Sequence, residues 1–332
     1  MEQEILNVIE KYQLIQNGDR LVLGVSGGPD SICMLNVLNN IRNNDDIDLN
    51  FNIVVAHVNH MIREEADSDE EYVKKFCHEK NIDFYSKSID VQKIGNNMKI
   101  GTEEAGRNVR YNFFDEILEL TKSNKIAIAH NKNDKIETIF MNLFRGSGLL
   151  GLKGIEAKNG KYIRPLIECE RNKIEDYCLK NNLNPRIDKT NFDNTYTRNK
   201  IRNVVIPYIK KEFNPNIINT IDRLSELVSE EEEYINKQVI EAYTTILVKE
   251  NLEEQMIILD LKKFNSQEKV IKSRLVLYTI TRLFGTSKGI ERIHIEDIIK
   301  LCSKNVGNKY LTPNKYTKVL VNNGKIYFSI QK

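Results

Sequence analysis

A glycine-rich loop near the start of the chain carries the residues best suited to binding a phosphate group. It reads Ser26-Gly-Gly-Pro-Asp-Ser31 and stands between a β-branched run and a helical pattern. Gly27 and Gly28 allow a ligand to approach the backbone closely, and Pro29 suits the first turn of a helix. The N–H groups at such a helix start attract anions. Asp30 places a carboxylate where a Mg²⁺ ion bound to phosphate needs one.

The same loop also has a purely structural interpretation, which is a tight Gly-Gly turn capped by a serine. The serine before the glycines and the Asp30-Ser31 pair after them favour the phosphate site. The pattern is not the Walker A motif, which needs G-x-x-x-x-G-K-[ST], and it is not the G-x-G-x-x-G dinucleotide fingerprint.

A second block of polar residues follows a later predicted strand. His130 lies at the strand end, and Asp134 and Glu137 are three residues apart on the helix that follows. Two carboxylates facing the same way beside an imidazole could hold Mg²⁺, receive a substrate ammonium group, or both. The alternative is that both acids are there because the helix dipole favours them near the N-terminus.

Other histidines and cysteines give little support to a metal centre. His57 and His60 are three apart, but Cys77-His78 is the only nearby pair that could complete a zinc site. The five cysteines are scattered and contain no C-x-x-C motif, which argues against disulfides and favours a reducing cytoplasm.

Two arginines occupy one face of a further predicted helix. Arg107 and Arg110 are three residues apart, in a helix that begins near Thr102 with two acids in its first turn. A solvated charged face is the alternative to a binding role for this pair.

Strands and helices alternate through the first half of the chain and predict the scaffold for these residues. The predicted strands are Arg20–Val25, Asn52–His57, Ile82–Lys87 and Lys125–His130. Helical patterns lie between them, at 31–40, 66–80, 102–121 and 134–144. This alternation predicts an α/β fold with a doubly wound, mostly parallel sheet, in which ligands bind beyond the carboxyl ends of the strands. Ser26, His57 and His130 are all expected at that edge.

The second half of the chain has a different character. A long helical pattern begins at Ile217, two more helical stretches follow, and alternating runs flank Asn322-Asn-Gly324. Such runs around Asn-Gly predict a β-hairpin. We predict a catalytic domain over residues 1–212 and a second, mainly helical domain over 213–332 that ends in this hairpin.

Charge and hydropathy exclude some classes of protein. The 332 residues include 49 Lys+Arg and 47 Asp+Glu, a net charge of +2, which excludes a uniformly basic nucleic-acid coat protein. The charge is uneven, because residues 151–211 hold 14 basic and 7 acidic residues and six lysines but no acids follow Ser303. Both segments could contact nucleic-acid phosphates. No apolar run approaches the roughly 20 residues of a membrane span.

The loop and the blocks after it resemble the tRNA(Ile)-lysidine synthetases, a family of N-type ATP pyrophosphatases that share the S-G-G-x-D-S "PP-loop". The resemblance spans roughly residues 20–210. The further matching motifs, in order, are His57-Val-Asn-His60-Met-Ile-Arg63, Thr102–Tyr111, Ala129–Thr138, Arg145-Gly-Ser-Gly148, Arg164-Pro-Leu166, Asp188-Lys-Thr-Asn191 and Arg198-Asn-Lys-Ile-Arg202. The chain departs from the family pattern at Asn131, where a second histidine is usual, and at Asn133, where many members have an aspartate.

The resemblance implies an adenine nucleotide alpha hydrolase-like fold and a role for each matching residue. ATP binding is assigned to Ser26, Gly27, Gly28, Pro29, Asp30, Ser31 and His57. Catalysis is assigned to Asp30, Arg110, His130, Asp134 and Glu137, and tRNA contact to Arg107, Arg145, Arg198 and Arg202. Asp30 and Glu137 would hold Mg²⁺, Asp134 would help to select lysine, and His130 or Asp134 would accept the proton of its ε-ammonium group.

The implied reaction has two steps. ATP adenylates the 2-carbonyl oxygen of the wobble cytidine in the CAU anticodon of tRNA(Ile), and free L-lysine then displaces AMP to form lysidine. The expected cofactors are ATP and Mg²⁺, and the expected partners are this tRNA, lysine and a second copy of the chain, with no membrane. Two alternatives stay open: another PP-loop tRNA-modifying enzyme, such as a thiolase, and a non-catalytic RNA-binding protein that keeps a nucleotide site. The scattered cysteines argue against the thiolase.

Overall fold

The computed structural model of the chain divides into two units. It describes residues 1–61, 66–186, 194–304 and 308–331. The first unit is Met1–Glu226 and the second is Leu227–Lys332. The predicted boundary between residues 212 and 213 falls ahead of this division, which lies within a helix that spans Ile217–Ile246.

The first unit contains a six-stranded sheet. Its strands are β1 (Arg20–Gly24), β2 (Asn52–Asn59), β3 (Asp83–Ser88), β4 (Lys125–Ile128), β5 (Lys158–Asn159) and β6 (Tyr162–Ile163). They are arranged in the order β3-β2-β1-β4-β6-β5. All neighbouring pairs are parallel except β5 with β6. The predicted, mostly parallel sheet is therefore confirmed, and β1 to β4 match the four predicted strands within about two residues.

Helices cover both faces of this sheet. The helices before Ile217 are α1 (Glu2–Lys11), α2 (Pro29–Arg42), α3 (Ala66–Glu79), α4 (Val91–Met98), α5 (Thr102–Leu120), α6 (Lys132–Phe144), α7 (Leu149–Leu152), α8 (Arg171–Lys180), α9 (Thr197–Lys200) and α10 (Ile206–Glu212). A π-helical turn, Ile201–Val205, joins α9 to α10. Successive β1 residues point to opposite faces: Leu21 and Leu23 pack in the core that includes α1, α2 and α8, whereas Val22 packs with Phe113 of α5.

Gly24, the last residue of β1, lies against an aromatic ring of α5. A Cβ atom at Gly24 would stand 2.4 Å from Cζ of Phe114, which is closer than two carbon atoms can approach. The glycine therefore allows α5 to pack directly on the end of the strand that leads into the phosphate loop.

The second unit contains a five-stranded antiparallel sheet and helices. Its elements are α11 (Ile217–Ile246, which begins in the first unit), β7 (Leu247–Asn251), β8 (Met256–Asp260), α12 (Leu261–Asn265), α13 (Lys269–Phe284), α14 (Arg292–Lys304), β9 (Lys309–Leu311), β10 (Thr317–Asn322) and β11 (Lys325–Ile330). The strand order is β7-β8-β11-β10-β9.

The predicted hairpin is confirmed as β10 and β11. Asn322 pairs with Lys325. Asn323 and Gly324 between them have φ values of 48° and 69°, and positive φ at both positions is what a two-residue turn of type I′ requires. The sequence analysis missed β7, β8 and β9, so the hairpin belongs to a larger sheet than expected. Within the described parts of the chain, no helix combines the length and the apolarity needed to cross a bilayer.

Candidate active site

The phosphate loop follows β1 and is braced by its own two serines. The backbone N–H of Ser26 donates to Oγ of Ser31 over 3.2 Å, and that hydroxyl donates to the Gly28 carbonyl over 3.0 Å. Gly27 has φ of +90°, a conformation that only glycine adopts easily. Helix α2 then begins at Pro29, and no side chain caps it. The first-turn N–H groups are therefore available to an anionic ligand.

Asp30 is the acidic residue of this loop, and it is partly buried beside α6. Its Oδ1 accepts a hydrogen bond of 2.8 Å from Nδ2 of Asn131. Burial and the nearby Asp134 carboxylate raise the pKa of Asp30 to about 6, and the positive charges of Arg171 and Arg202 only partly offset them. A cation at this carboxylate would relieve that unfavourable environment.

Asn131 explains one departure from the family pattern. It is fully buried and caps α6: its Oδ1 accepts from the Asp134 N–H over 3.0 Å, and Oδ2 of Asp134 accepts from the Asn131 N–H over 3.1 Å. Asparagine is a favoured residue for this capping role. The same side chain holds Asp30, so one amide connects the phosphate loop to the start of α6.

Asn133, the other departure, contributes to the neighbouring helix. Its Oδ1 accepts a 3.0 Å hydrogen bond from the backbone N–H of Arg171, the first residue of α8. The amide thus fixes the position of an arginine whose side chain turns back toward α6.

Glu137 is almost fully buried and is enclosed by arginines. Its side chain is 1 % exposed. Nε of Arg202 donates to Oε1 over 2.6 Å and Nη2 of Arg202 to Oε2 over 2.8 Å, while Nε of Arg198 donates to Oε2 over 2.9 Å. Arg202 lies in the π-helical turn, an irregularity that is common at functional sites. Both oxygens of Glu137 therefore have charged partners.

Asp134 shares the same arginines. Its Oδ1 lies 3.1 Å from Nη2 of Arg202, 3.2 Å from Nη2 of Arg171 and 3.4 Å from Nη2 of Arg198. The structure thus joins Arg198 and Arg202, predicted to contact tRNA, with Asp134 and Glu137, predicted to act in catalysis. With Arg171 they form what we call the acid–arginine group. The sequence analysis missed Arg171. Its one signal is that a basic residue in the first turn of a helix opposes the helix dipole and needs an acidic partner.

The donor set fits Mg²⁺ at Asp30 but not at Glu137 in this arrangement. The described residues contain no group of three or more His, Cys, Asp or Glu side chains that could hold a metal. A Mg²⁺ ion bound mainly by phosphate oxygens needs only one or two carboxylates, and Asp30 meets that need. A metal ligand at Glu137 would require Arg198 and Arg202 to release it first.

His130 lies at the end of β4 and contacts Arg164. Nε of Arg164 lies 3.1 Å from Nδ1 of the imidazole, and Nη1 of Arg164 donates to the Glu156 carbonyl over 2.7 Å. The Arg164 side chain is buried, at 7 % exposure of the residue. Burial, together with the positive charges of Arg164 and Arg198, lowers the pKa of His130 to about 3.

His57 has a structural contact at the phosphate loop. It is buried, and Nδ1 lies 2.8 Å from the Val25 carbonyl, so the ring donates to the residue just before Ser26. Burial lowers its pKa. His57 thereby connects the ends of β1 and β2, and its predicted contact with ATP stays a prediction.

The remaining predicted arginines are exposed. On α5, Nη2 of Arg110 lies 3.5 Å from Nε2 of His60, and the Arg107 guanidinium stacks 5.1 Å above the ring of Tyr111. Arg145 follows α6 and is exposed. It is not among the arginines that contact Asp134 or Glu137. The motifs at Arg63 and at Asp188–Asn191 lie outside the described residues.

All five cysteines are free and buried. Burial raises the pKa of Cys77, Cys169 and Cys302 to about 12, which makes these thiols inert near neutral pH. This environment is unlike that of a reactive, accessible cysteine.

Comparison with a solved structure agrees with the fold. The U34-tRNA thiolase NcsA from Methanococcus maripaludis, solved with its [4Fe-4S] cluster, is similar with a TM-score of 0.54 at 20 % sequence identity. The similarity covers 68 % of this chain and 78 % of the thiolase. At this level of identity it shows the fold alone.

Sequence comparisons reach further. The family model of the PP-loop domain matches residues 1–209. The tRNA(Ile)-lysidine synthase of Clostridium acetobutylicum is 45 % identical over 334 residues, covering 100 % of this chain and 70 % of that protein. The enzyme of the same name from Clostridioides difficile is 44 % identical over 312 residues, covering 93 % and 66 %. The chain thus spans about two thirds of the length of these relatives, and it belongs to the tRNA(Ile)-lysidine synthase family.

Proposed function

We propose that this chain is an ATP-dependent ligase that joins lysine to the 2-position of the wobble cytidine in the CAU anticodon of tRNA(Ile). The observation that carries the proposal is the connection of two features at one sheet edge. An uncapped phosphate loop with its carboxylate, Asp30, is tied through Asn131 to the acid–arginine group at the start of α6.

The first half of the proposed reaction needs a site for the pyrophosphate that leaves ATP. The cytidine 2-oxygen attacks the α-phosphorus, and the bond to the β-phosphate oxygen breaks. The uncapped first turn of α2 would supply N–H donors as fixed dipoles for the negative charge that develops on this leaving group. Mg²⁺ bound to the phosphates and to Asp30 would neutralise part of that charge.

The second half needs a cation-binding surface for lysine and an anion-binding surface for AMP. The ε-amine attacks C2 of the ring and AMP leaves. Asp134 could accept the lysine ammonium group only in place of one of the three arginines that share its Oδ1. Arg198 and Arg202 are held in place by Glu137, so they are oriented cations that can face a phosphate without first losing side-chain freedom.

We assign the tRNA contacts of the second unit to β9 and the segment that leads from it into β10. Tyr310 and Tyr316 are 60 % and 65 % exposed, and Nζ of Lys318 lies 4.8 Å above the Tyr310 ring. Exposed aromatic rings beside lysines suit unpaired bases next to phosphates. Changing both tyrosines to alanine should weaken tRNA binding about 30-fold or more by filter binding, at roughly 1–3 kcal/mol per stacked base. Unchanged binding would remove this surface from the proposal.

Incorporation of labelled lysine tests the central proposal. The protein is incubated with ATP, Mg²⁺, labelled L-lysine and tRNA(Ile) bearing CAU, and the label in tRNA is counted. We expect incorporation that depends on ATP and disappears when the wobble cytidine is replaced by uridine. Absence of incorporation by folded wild-type protein would contradict the proposal.

A matched pair of variants controls this assay. Asp30→Asn removes the loop carboxylate, whereas Glu116→Gln removes an exposed carboxylate on α5 that pairs with Lys87. Only the first should abolish incorporation. Loss in both variants would indicate a general defect rather than the proposed site.

The remaining expectations have direct tests. A homodimer follows from the family resemblance, and sedimentation equilibrium of the purified chain measures it. A cytoplasmic location follows from the reduced, buried cysteines and the proposed tRNA substrate, and cell fractionation measures it.

A further inference from the structure

The contact between Arg164 and His130 determines which imidazole nitrogen carries the proton. A guanidinium group has only N–H donors and cannot accept a hydrogen bond. Nδ1 of His130, 3.1 Å from Nε of Arg164, must therefore accept. In a neutral imidazole the proton then lies on Nε2. Arg164 is itself fixed by burial and by its bond to the Glu156 carbonyl.

The charges around His130 favour this neutral form. Four arginines act on the ring: Arg164 from the segment after β6, Arg198 from α9, and Arg107 and Arg110 from α5. A proton added to the ring would meet four like charges in a partly buried position. Since Nδ1 is already occupied by a donor, His130 has no site on which to accept a proton.

Nε2 is therefore the nitrogen of the ring that carries the N–H. None of the described residues hydrogen-bonds to it. It is an N–H donor surrounded by cationic side chains, and it lies at the sheet edge beside the acid–arginine group. An anionic oxygen matches both the donor and the charge around it.

We propose that Arg164 is a positioning residue that fixes His130 as a neutral Nε2–H donor to an anionic oxygen of the reacting phosphate. This rests on the proposed function and deepens it, because His130 then stabilises charge on the nucleotide and does not accept the lysine proton. That proton must go to an oxygen acceptor, of which Asp134 is the sequence-predicted one.

Nitrogen NMR tests the tautomer without any catalytic assay. A long-range ¹H–¹⁵N spectrum of the full chain distinguishes the two tautomers, and the signal that disappears in His130→Gln identifies the ring among the five histidines. We expect the Nε2–H form at pH 7, and a mixture of tautomers in Arg164→Met, which has no N–H donor to offer Nδ1. An Nδ1–H ring or an imidazolium in the wild-type protein would overturn the proposal.

Kinetics test the role of the donor. Glutamine can donate from its amide nitrogen at a position similar to Nε2 but cannot accept a proton, and alanine can do neither. Loss of one preorganised donor lowers turnover by about 10²–10³. We expect tRNA-dependent pyrophosphate release to fall about 100-fold in His130→Ala and by no more than about 10-fold in His130→Gln. His78→Gln, at an exposed position on α3, is the matched control.

The alternative role gives a different pattern. If His130 were the base for lysine, both variants would release pyrophosphate at the wild-type rate and would fail equally in transfer of lysine to preformed adenylated tRNA. That result would overturn the proposal. If the proposed function itself fails, the wild-type protein shows no tRNA-dependent pyrophosphate release, whereas the tautomer measurement still gives its own answer.

Discussion

Two helices begin at the same edge of the sheet, and they differ in which groups bind the backbone N–H groups and the acidic side chains at their starts. No side chain caps α2, and its first-turn acid, Asp30, has an amide as its hydrogen-bond partner. Helix α6 begins with a complete capping box, and its acids, Asp134 and Glu137, are paired with three arginines. The start of α2 is thus open to a ligand, while the start of α6 is already satisfied by the protein.

The carboxylates at the starts of α2 and α6 therefore have two different roles. An unpaired carboxylate in a partly buried site is unfavourable for the free protein and is stabilised by a bound cation. A paired, buried carboxylate instead fixes the arginines around it. Asp30 is therefore suited to binding, and Glu137 to holding Arg198 and Arg202 in position.

The largest expected effect is at the open site. Asp30→Ala should lower pyrophosphate release by about 1,000-fold or more, equivalent to about 4 kcal/mol of transition-state stabilisation. The circular dichroism spectrum should be unchanged and the melting temperature should not fall, because no ion pair is lost. A steady-state pyrophosphate assay measures the effect, and turnover within tenfold of the wild type would place Asp30 outside the mechanism.

The next largest effect is on the stability of the protein and is expected at Glu137 on α6. Glu137→Gln removes one of the two buried carboxylates that pair with Arg198 and Arg202 and leaves only Asp134. Breaking a buried ion pair from one side costs about 3 kcal/mol. Urea unfolding of the first unit should show this loss. A loss below about 1 kcal/mol would mean that Glu137 does not hold the arginines.

Substitution of Asp30 should change the free energy of unfolding in the opposite direction from Glu137→Gln. The pKa of Asp30 is raised to about 6 from an ordinary value of 3.8, so the folded state favours the protonated form. The stabilisation that this gives is complete below about pH 4 and is lost as the pH rises through 6. The free energy of unfolding of Asp30→Asn should therefore exceed that of the wild type by about 3 kcal/mol at pH 8 and should match it near pH 4, as measured by urea unfolding.

Chelated, nucleotide-free protein is needed for that measurement, because a bound cation would also stabilise the ionised carboxylate. An equal difference between the two proteins at pH 4 and pH 8 would show that Asp30 is not the titrating group.

The smallest effect is expected for an exposed ion pair of the same length as the shortest pair at Glu137. Lys87 and Glu116 are 2.6 Å apart, but their side chains are 42 % and 57 % exposed. Such pairs contribute about 0–1 kcal/mol. Lys87→Met should change the unfolding free energy by less than about 1 kcal/mol, and its response to salt reports the screening. A loss as large as that of Glu137→Gln would show that distance, not burial, determines these energies.

Local sequence patterns were sufficient to predict most of the strands of the first unit and its phosphate loop. Apolar strands alternated with helices, and the loop from Ser26 to Ser31 had signals that depend on neighbouring residues only. The same holds for the hairpin at Asn323-Gly324. These features are determined by backbone preferences and by periodicity, which a single sequence displays directly.

Contacts between distant segments could not be predicted in this way. Arg171 and Arg202 reach Asp134 from sequence separations of 37 and 68 residues, and nothing in the local spacing connects them. Asn131 was noted only as a departure from the family pattern, and nothing in the sequence indicated that its amide caps α6 and holds Asp30. Strand β7 was missed because it follows α11 directly at Leu247, with no turn residue between them.

The close approach of Gly24 to Phe114 has a consequence for how the site tolerates change. Any larger residue at Gly24 would act as a wedge under α5 and lift the helix that carries Arg107 and Arg110. A substitution that touches no ligand would then behave like the loss of two surface charges. Because Gly24 has no side chain, α5 packs directly on the end of β1. The glycine thereby determines the distance between the phosphate loop and the basic face of α5.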